Sequence, residues 1–385
     1  MVIAFMVSSA ADRDAWTSEV IHRFSQANPD IEVTLRVKNQ EEYKSGFDRM
    51  LETEDVDLAF WFAGARLRES AARGQLKAIQ SVRLQAALSA GFDAAAVGAS
   101  RIAGMQVAVP LSYYGWGIYY KKSLFARLGL KPPTTWAELL LVGDRLKVAG
   151  IDVTAIGGQD GWPAAAWFDY LNLRINGIEF HRKVLAGEVK FSHPRVREVF
   201  VRWKELLDRG FFMPALTPQA WDAPLPYFYR GRVGMLLMGG FATAKFPKEM
   251  APDIGFTPFV QITPGVARAE DAPLDVLVLP KRGRNTAAVE RFVAFLATSD
   301  ALNRYNERLN RFSPLKTFAP QSELSKRELE SLRDASAISF FFDRDVAPNR
   351  VQPGLAAFKS FLIPPFDIDA ALRALDAPVV ANPAP

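Results

Sequence analysis

Residues 109–139 read VPLSYYGWGIYYKKSLFARLGLKPPTTWAEL, and the order of signals in them decides the fold. Pro110 breaks the strand that precedes it, because proline cannot donate to a ladder. Tyr113, Tyr114 and Trp116 then gather around Gly115 in what reads as a loop. Trp116, Ile118 and Tyr120 alternate with the period of a strand. Two lysines and a short helix follow, closed by Gly129 as a C-cap. Pro132 and Pro133 stop the chain, and Thr135-Trp136-Ala137-Glu138 is a capping box that opens the next helix.

With 385 residues the chain exceeds one ordinary core, so two domains or one large one are expected. The 49% apolar and 23% charged composition is that of a globular protein. A net charge of +5 without any basic run points away from nucleic acid. The absence of cysteine excludes disulfides, thiolate metal sites and cysteine nucleophiles. His22, His181 and His193 show no metal-ligand spacing, so neither metal nor cofactor is expected. Residues 2–7 are apolar but too short to span a membrane, and they lack the basic region and cleavage site of a signal peptide. They read as a first buried strand.

A helix from about Asp12 carries Trp16, Val20, Ile21 and Phe24 on one face. Residues 31–37 alternate as a second strand, with Gln40 and Glu41 at its end. A second helix presents Tyr43, Phe47, Met50 and Leu51. Residues 56–62 form a third strand, followed by Gly64 and a helix that ends at Gly74. This β-α-β-α-β order predicts a parallel sheet with helices on its faces. Ligands of such sheets bind beyond the carboxyl ends of the strands, here Ser8-Ser9, Gln40-Glu41 and the segment from Trp61 to Arg66. Farther on, residues 153–156 read as a short strand. Gly157-Gly158 leads to Trp162, and Pro163 starts a helix that runs to Gly177. Residues 276–280 read as a strand that returns the chain to the first domain.

The central stretch resembles the family 1 extracellular solute-binding proteins of ABC importers, the group that includes maltose-binding protein. The matching motifs are YYKKSLF (119–125) and PPTTWAEL (132–139). The likeness continues in FSQANPDIEV (24–33), VDLAFWFAGARLRESAARGQLKAI (56–79), AAAWFDYLNLRINGIEFH (164–181), FYRGRVGM (228–235), RFSP (311–314) and FFDRD (341–345), nearly the whole chain. It departs at Lys122-Ser123, where the family often has an acid, and at Gly240 in LLMGGF (236–241), where relatives show M-G-N-F or M-G-x-W, so that one possible polar contact to a ligand is missing. The resemblance implies an α/β, two-lobed periplasmic-binding-protein fold, each lobe a mainly parallel sheet flanked by helices, with strand crossovers as hinge. Residues 1–110 and 275–311 would form one lobe, residues 112–273 and 313–385 the other, with the ligand cleft between them. It further implies a monomeric, periplasmic receptor, its signal peptide removed, that passes a carbohydrate to a membrane permease.

A pyranose has apolar C–H faces and a rim of hydroxyls, so its receptor needs rings for the faces and polar groups for the rim. The segments named above offer Trp61, Tyr113, Tyr114, Trp116, Trp162 and Phe241 as rings. Ser9, Gln40, Glu41, Arg66, Asp343 and Arg344 are the rim candidates, with Gly240 alongside. Each has a plainer reading. Trp61 follows a buried strand and reads equally as core. Glu41 reads as an acid favouring a helix start, Ser9 as a cap, Arg66 as a surface cation, and Asp343 with Arg344 as an internal pair. Catalysis is not expected: no nucleophile elbow, phosphate loop or metal motif occurs, and with 42 acids neighbouring carboxylates arise by chance. A receptor for a polyamine, amino acid or acidic compound is the alternative. A polyamine would want several carboxylates among the rings, and basic groups here balance the acids.

Overall fold

The computed structural model describes residues 1–7, 10–284 and 286–378. The chain forms two units, Met1–Tyr114 with Pro273–Gln321, and Gly115–Ala272 with Ser322–Pro385. It therefore changes unit inside the organising stretch, between Tyr114 and Gly115. Strands β1 (Val2–Val7), β2 (Thr34–Asn39), β3 (Leu58–Phe62) and β4 (Ala108–Tyr113) come first. Strands β5 (Trp116–Lys121), β6 (Met235–Gly239), β7 (Ile254–Thr257), β8 (Ala269–Asp271), β9 (Leu274–Val278) and β10 (Ala337–Ser339) follow. The helices that place the site are α1 (Gln40–Thr53), α2 (Ala65–Ala72), α3 (Trp136–Val148), α4 (Trp162–Asn176), α5 (Glu323–Arg333) and the short α6 (Phe342–Asp345).

In the first unit the sheet order is β2-β1-β3-β9-β4. Strands β2 and β3 run parallel to β1, while β9 runs antiparallel to both β3 and β4. The register pairs Asp275 of β9 with Phe62 and with Ser112, so this acid stands at the carboxyl ends of β3 and β4. The predicted stripe of the first helical stretch, residues 10–27, is buried, and Trp16 stacks on Phe5 at 4.1 Å. The second strand lies later than its alternation suggested, at Thr34–Asn39, because β1 pairs Val2 with Thr34 and Val7 with Asn39. Gln40 and Glu41 consequently begin α1, where Asn39 caps the helix by accepting the Glu42 N–H at 3.0 Å.

The second unit departs from a mainly parallel sheet. Its strands order β6-β5-β7, and both neighbours of β5 are antiparallel to it. Alternation of apolar residues has the same period in either direction, so it cannot signal this choice. Strands β8 and β10 form a separate parallel pair. Helix α4 is buried from Pro163 to Arg174, the pattern of a helix enclosed on all sides. The capping box of α3 is complete, with Thr135 and Glu138 bonding each other's backbone at 3.3 and 3.2 Å. The strand expected over 153–156 is reduced to single bridges from Asp152 to Val233 and Thr154 to Phe212. Residues 311–314 lie in the first unit, where Phe312 and Tyr113 exchange backbone bonds of 2.8 and 3.0 Å.

Helix α5 buries Glu328, whose Oε1 accepts the Tyr119 hydroxyl at 2.8 Å. Burial pushes this carboxyl from 4.5 up to about 7, partly offset by that bond. The unfolded chain then releases the proton first as pH rises. Native stability should fall between about pH 4.5 and 7, by about 2–4 kcal/mol from this group. Urea denaturation at both pH values checks this, and Glu328→Gln should flatten the decline by a similar amount.

Candidate functional site

In the first unit, the carboxyl ends of β3 and β4 present two groups of side chains. Trp61 is 5% exposed, and Phe47 covers its ring at 3.4 Å and 2°. Gly64, with φ +88°, turns the chain into α2. The Arg66 guanidinium follows, 5.6 Å from the Trp61 ring centre and 5.7 Å from that of Phe62. The second group is polar. The Tyr305 hydroxyl donates to Asp12 at 2.9 Å, Arg311 lies 3.5 Å from the same carboxylate, and Ser112 donates to Asp275 at 3.0 Å. Burial disfavours the Arg311 cation, but Tyr305, Asp275, Asp12 and Tyr114 outweigh it and raise the pKa above that of an ordinary arginine.

The second unit carries a group of five rings. Trp116 meets Phe341 at 4.5 Å, Trp162 at 5.7 Å and Phe241 at 5.8 Å. Trp221 meets Phe241 at 5.2 Å and Trp162 at 5.9 Å. Interplanar angles in these contacts run from 48° to 89°, so the rings make a corner instead of a flat platform. Trp116 and Phe341 are buried, whereas Trp162, Trp221 and Phe241 are half-buried and form its accessible face.

Local sequence explains how the rings are held. Trp116 opens β5, and its carbonyl accepts the Tyr170 hydroxyl at 3.0 Å. Its indole fits because Gly239 lies opposite: a Cβ there would stand 2.6 Å from Nε1. That Nε1 is buried without a hydrogen-bond partner. Gly157 lets the Trp221 loop approach, since a Cβ on it would lie 2.0 Å from the Ala220 carbonyl oxygen. Lys245 holds Trp221 in turn, with its ammonium 4.7 Å from the ring centre and paired to Asp222. Asp343 and Arg344 are half-buried in α6, whose first residue, Phe342, donates its N–H to Asp169 at 2.9 Å.

Trp116, Trp162 and Phe241 are thus brought together, Gly240 adjoins Phe241, and Asp343 and Arg344 stand two and three residues after Phe341. Trp61 and Arg66 meet in the first unit. Tyr113 lies in the core of the first unit: it is 2% exposed and its hydroxyl donates to Asp93 at 2.6 Å. Its ring lies edge-on to Phe312 at 6.2 Å, beside the backbone bonds that these two residues exchange. Tyr114 is half-buried near Arg311. Ser9 lies outside the described residues, as do the side chains of Gln40 and Glu41. Sequence reasoning missed Trp221, Phe341, Asp12, Asp275 and Arg311. Trp221 carried a signal, a lone large ring in the turn-rich run PQAWDAP (218–224); Asp275 carried none, because its place depends on strand pairing. Among the described residues no group of three or more His, Asp or Glu could hold a metal ion, and no helix is long and apolar enough to cross a membrane.

Comparison with known proteins adds three findings. The model of a family described as bacterial extracellular solute-binding protein matches residues 8–302. An uncharacterized ABC transporter extracellular-binding protein of Pyrococcus horikoshii is 28% identical over 206 residues, 52% of this chain and 45% of that protein. The multiple sugar-binding protein of Streptococcus mutans is 25% identical over 204 residues, 51% of this chain and 48% of that one. The matched stretch thus spans about half the length of these two curated relatives. Among solved structures, the bacterial solute receptor AcbH, described as having an exclusive substrate preference for β-D-galactopyranose, superposes with a TM-score of 0.91. It is 25% identical, over 97% of this chain and 95% of that one.

If Gly157 sets the position of Trp221, Gly157→Ala must displace the 217–222 loop. Tryptophan fluorescence and near-ultraviolet circular dichroism should change, and stability should drop by about 1–3 kcal/mol. Gly46→Ala, where a Cβ meets nothing within 4 Å, should leave the spectra unchanged. Identical spectra for Gly157→Ala would contradict the placement.

Proposed function

Because this chain belongs to the family of bacterial extracellular solute-binding proteins, we propose that it is the substrate receptor of an ABC importer. It captures a sugar outside the cytoplasm and hands it to a membrane permease. It works as a monomer, binds no nucleic acid and makes or breaks no bond, so it needs no cofactor. The observation that carries this reading is the corner formed by Trp162, Trp221 and Phe241. Aromatic faces attract the apolar C–H surface of a pyranose. Rings inclined to one another at 48° to 75° suit a single sugar ring touching several walls; an extended chain would favour a flat platform. The likeness to a receptor that prefers β-D-galactopyranose supports a monosaccharide of that type. In this reading Asp343 and Arg344 supply partners for the hydroxyl rim, and Trp116 backs the corner as a fixed wall.

The test is thermal denaturation and calorimetry with D-galactose, D-glucose, maltose, putrescine and a set of amino acids. A ligand at a hundred times its Kd stabilises the native state by about 2.7 kcal/mol, which raises the melting temperature measurably. D-galactose should do so, and Trp162→Ala should weaken its binding at least about tenfold. Silence toward every sugar, together with a rise for an amine or an amino acid, would overturn the sugar assignment.

A further inference from the structure

The second unit holds a cavity of about 300 Å³, apart from the ring corner, that the sugar reading leaves unused. Arg174 lines it, roughly 18 Å along α4 from Trp162 at the rise of a helix. Arg268, Thr257, Gln261, Phe259 and Val266 contribute to the same wall. Gln261 is exposed and Arg268 half-buried, so the cavity opens to solvent.

Arg174 is 3% exposed, and its Nε donates to the Phe259 carbonyl at 3.2 Å, Nη1 to the Ala269 carbonyl, and Nη2 to Glu270 at 2.7 Å. A guanidinium has five N–H donors, so two of Arg174 remain beyond those three. Arg268 Nη1 donates to Ser331 at 3.1 Å and lies 3.4 Å from that same Glu270 oxygen. Two guanidiniums thus meet one carboxylate oxygen, with the buried Asp271 carboxyl next in sequence. Burial pushes both Glu270 and its neighbour Asp271 upward, toward the neutral acid, although Arg174 opposes this at both and Arg268 at Glu270. Apolar side chains share the lining with this charge. Phe259 is fixed between Tyr170 at 5.2 Å and Trp167 at 5.7 Å, and Val266 lies beside it in the lining.

We propose that this cavity is a second binding site, for a small organic carboxylate. The planar oxyanion takes the free N–H edges of Arg268 and Arg174, a geometry that guanidinium forks favour. The apolar part rests on Phe259 and Val266, and Thr257 and Gln261 supply further polar contacts at the rim. A volume of about 300 Å³ is at the small end of the range for small-molecule sites. The paired guanidiniums favour an anion, and the apolar lining favours a carboxylate with a short hydrocarbon or aromatic body over inorganic phosphate.

Benzoate is the probe, titrated into the full chain by saturation-transfer NMR and calorimetry, with neutral benzamide and inorganic phosphate as controls. Saturable benzoate binding is expected, with benzamide and phosphate at least about tenfold weaker. Arg268→Gln should weaken benzoate about tenfold or more. Val266→Trp should block it by filling the cavity without changing charge. Trp162→Ala, in the ring corner, should leave it unchanged, so the outcome does not depend on the sugar assignment. Benzoate binding that does not saturate, that survives both Arg268→Gln and Val266→Trp, or that phosphate equals would overturn the proposal.

Discussion

The Trp116 indole stands in space that any side chain on residue 239 would fill. Strands β5 and β6 pair directly at this point, so the tryptophan and the glycine are opposite by register. Three other rings of the corner touch Trp116, and Trp221 reaches it through Trp162 and Phe241. A larger residue at position 239 would expel the indole and leave those rings without a common backing. A Cβ on the neighbouring Gly240 would lie 2.9 Å from a Glu328 carboxylate oxygen, at the end of a side chain instead of against a ring.

Polar residues buried on α4 extend the same logic. Asp169 is wholly buried, and one of its oxygens accepts the N–H of Phe342. That bond anchors the start of α6 and so places Asp343 and Arg344. His181, also wholly buried, lies 3.6 Å from the other Asp169 oxygen and within 2.9 Å of Asn172. Burial pushes its pKa down to about 3, with Arg182 adding to the shift, so the ring is neutral at physiological pH. A buried polar residue costs stability unless it is bonded. Here the Phe342–Asp169 bond ties α6 to α4, so Asp343 and Arg344 are positioned as the core is closed.

The proposed role of receptor follows the family, and the proposed sugar class rests on the ring corner. The carboxyls that burial pushes upward, Asp169, Glu270, Asp271 and Glu328, lie in the buried framework around α4, α5 and β8. In the first unit, Arg311 is held between acids at the carboxyl ends of the strands, where a parallel sheet offers its ligand-facing edge.

Much of the fold was legible in advance. The stripe of Trp16, Val20 and Phe24, the capping box at Thr135 and the enclosed helix beginning near Pro163 are local patterns. Trp116, Trp162 and Phe241 were legible as rings in segments able to face a ligand. The position of Asp275 was not, nor the antiparallel course of β6 and β7, nor the contribution of Trp221. Tyr113 and Trp116 are three residues apart and both are large rings; one became core and the other the back of the corner. The sequence by itself determined the α/β class, the helix starts and the ring-rich segments, because periodicity and capping act within a few residues. Only the tertiary structure decided strand direction, which tyrosine is buried and which rings meet, because those depend on pairing between residues as far apart as Trp116 and Gly239, or Ser112 and Asp275.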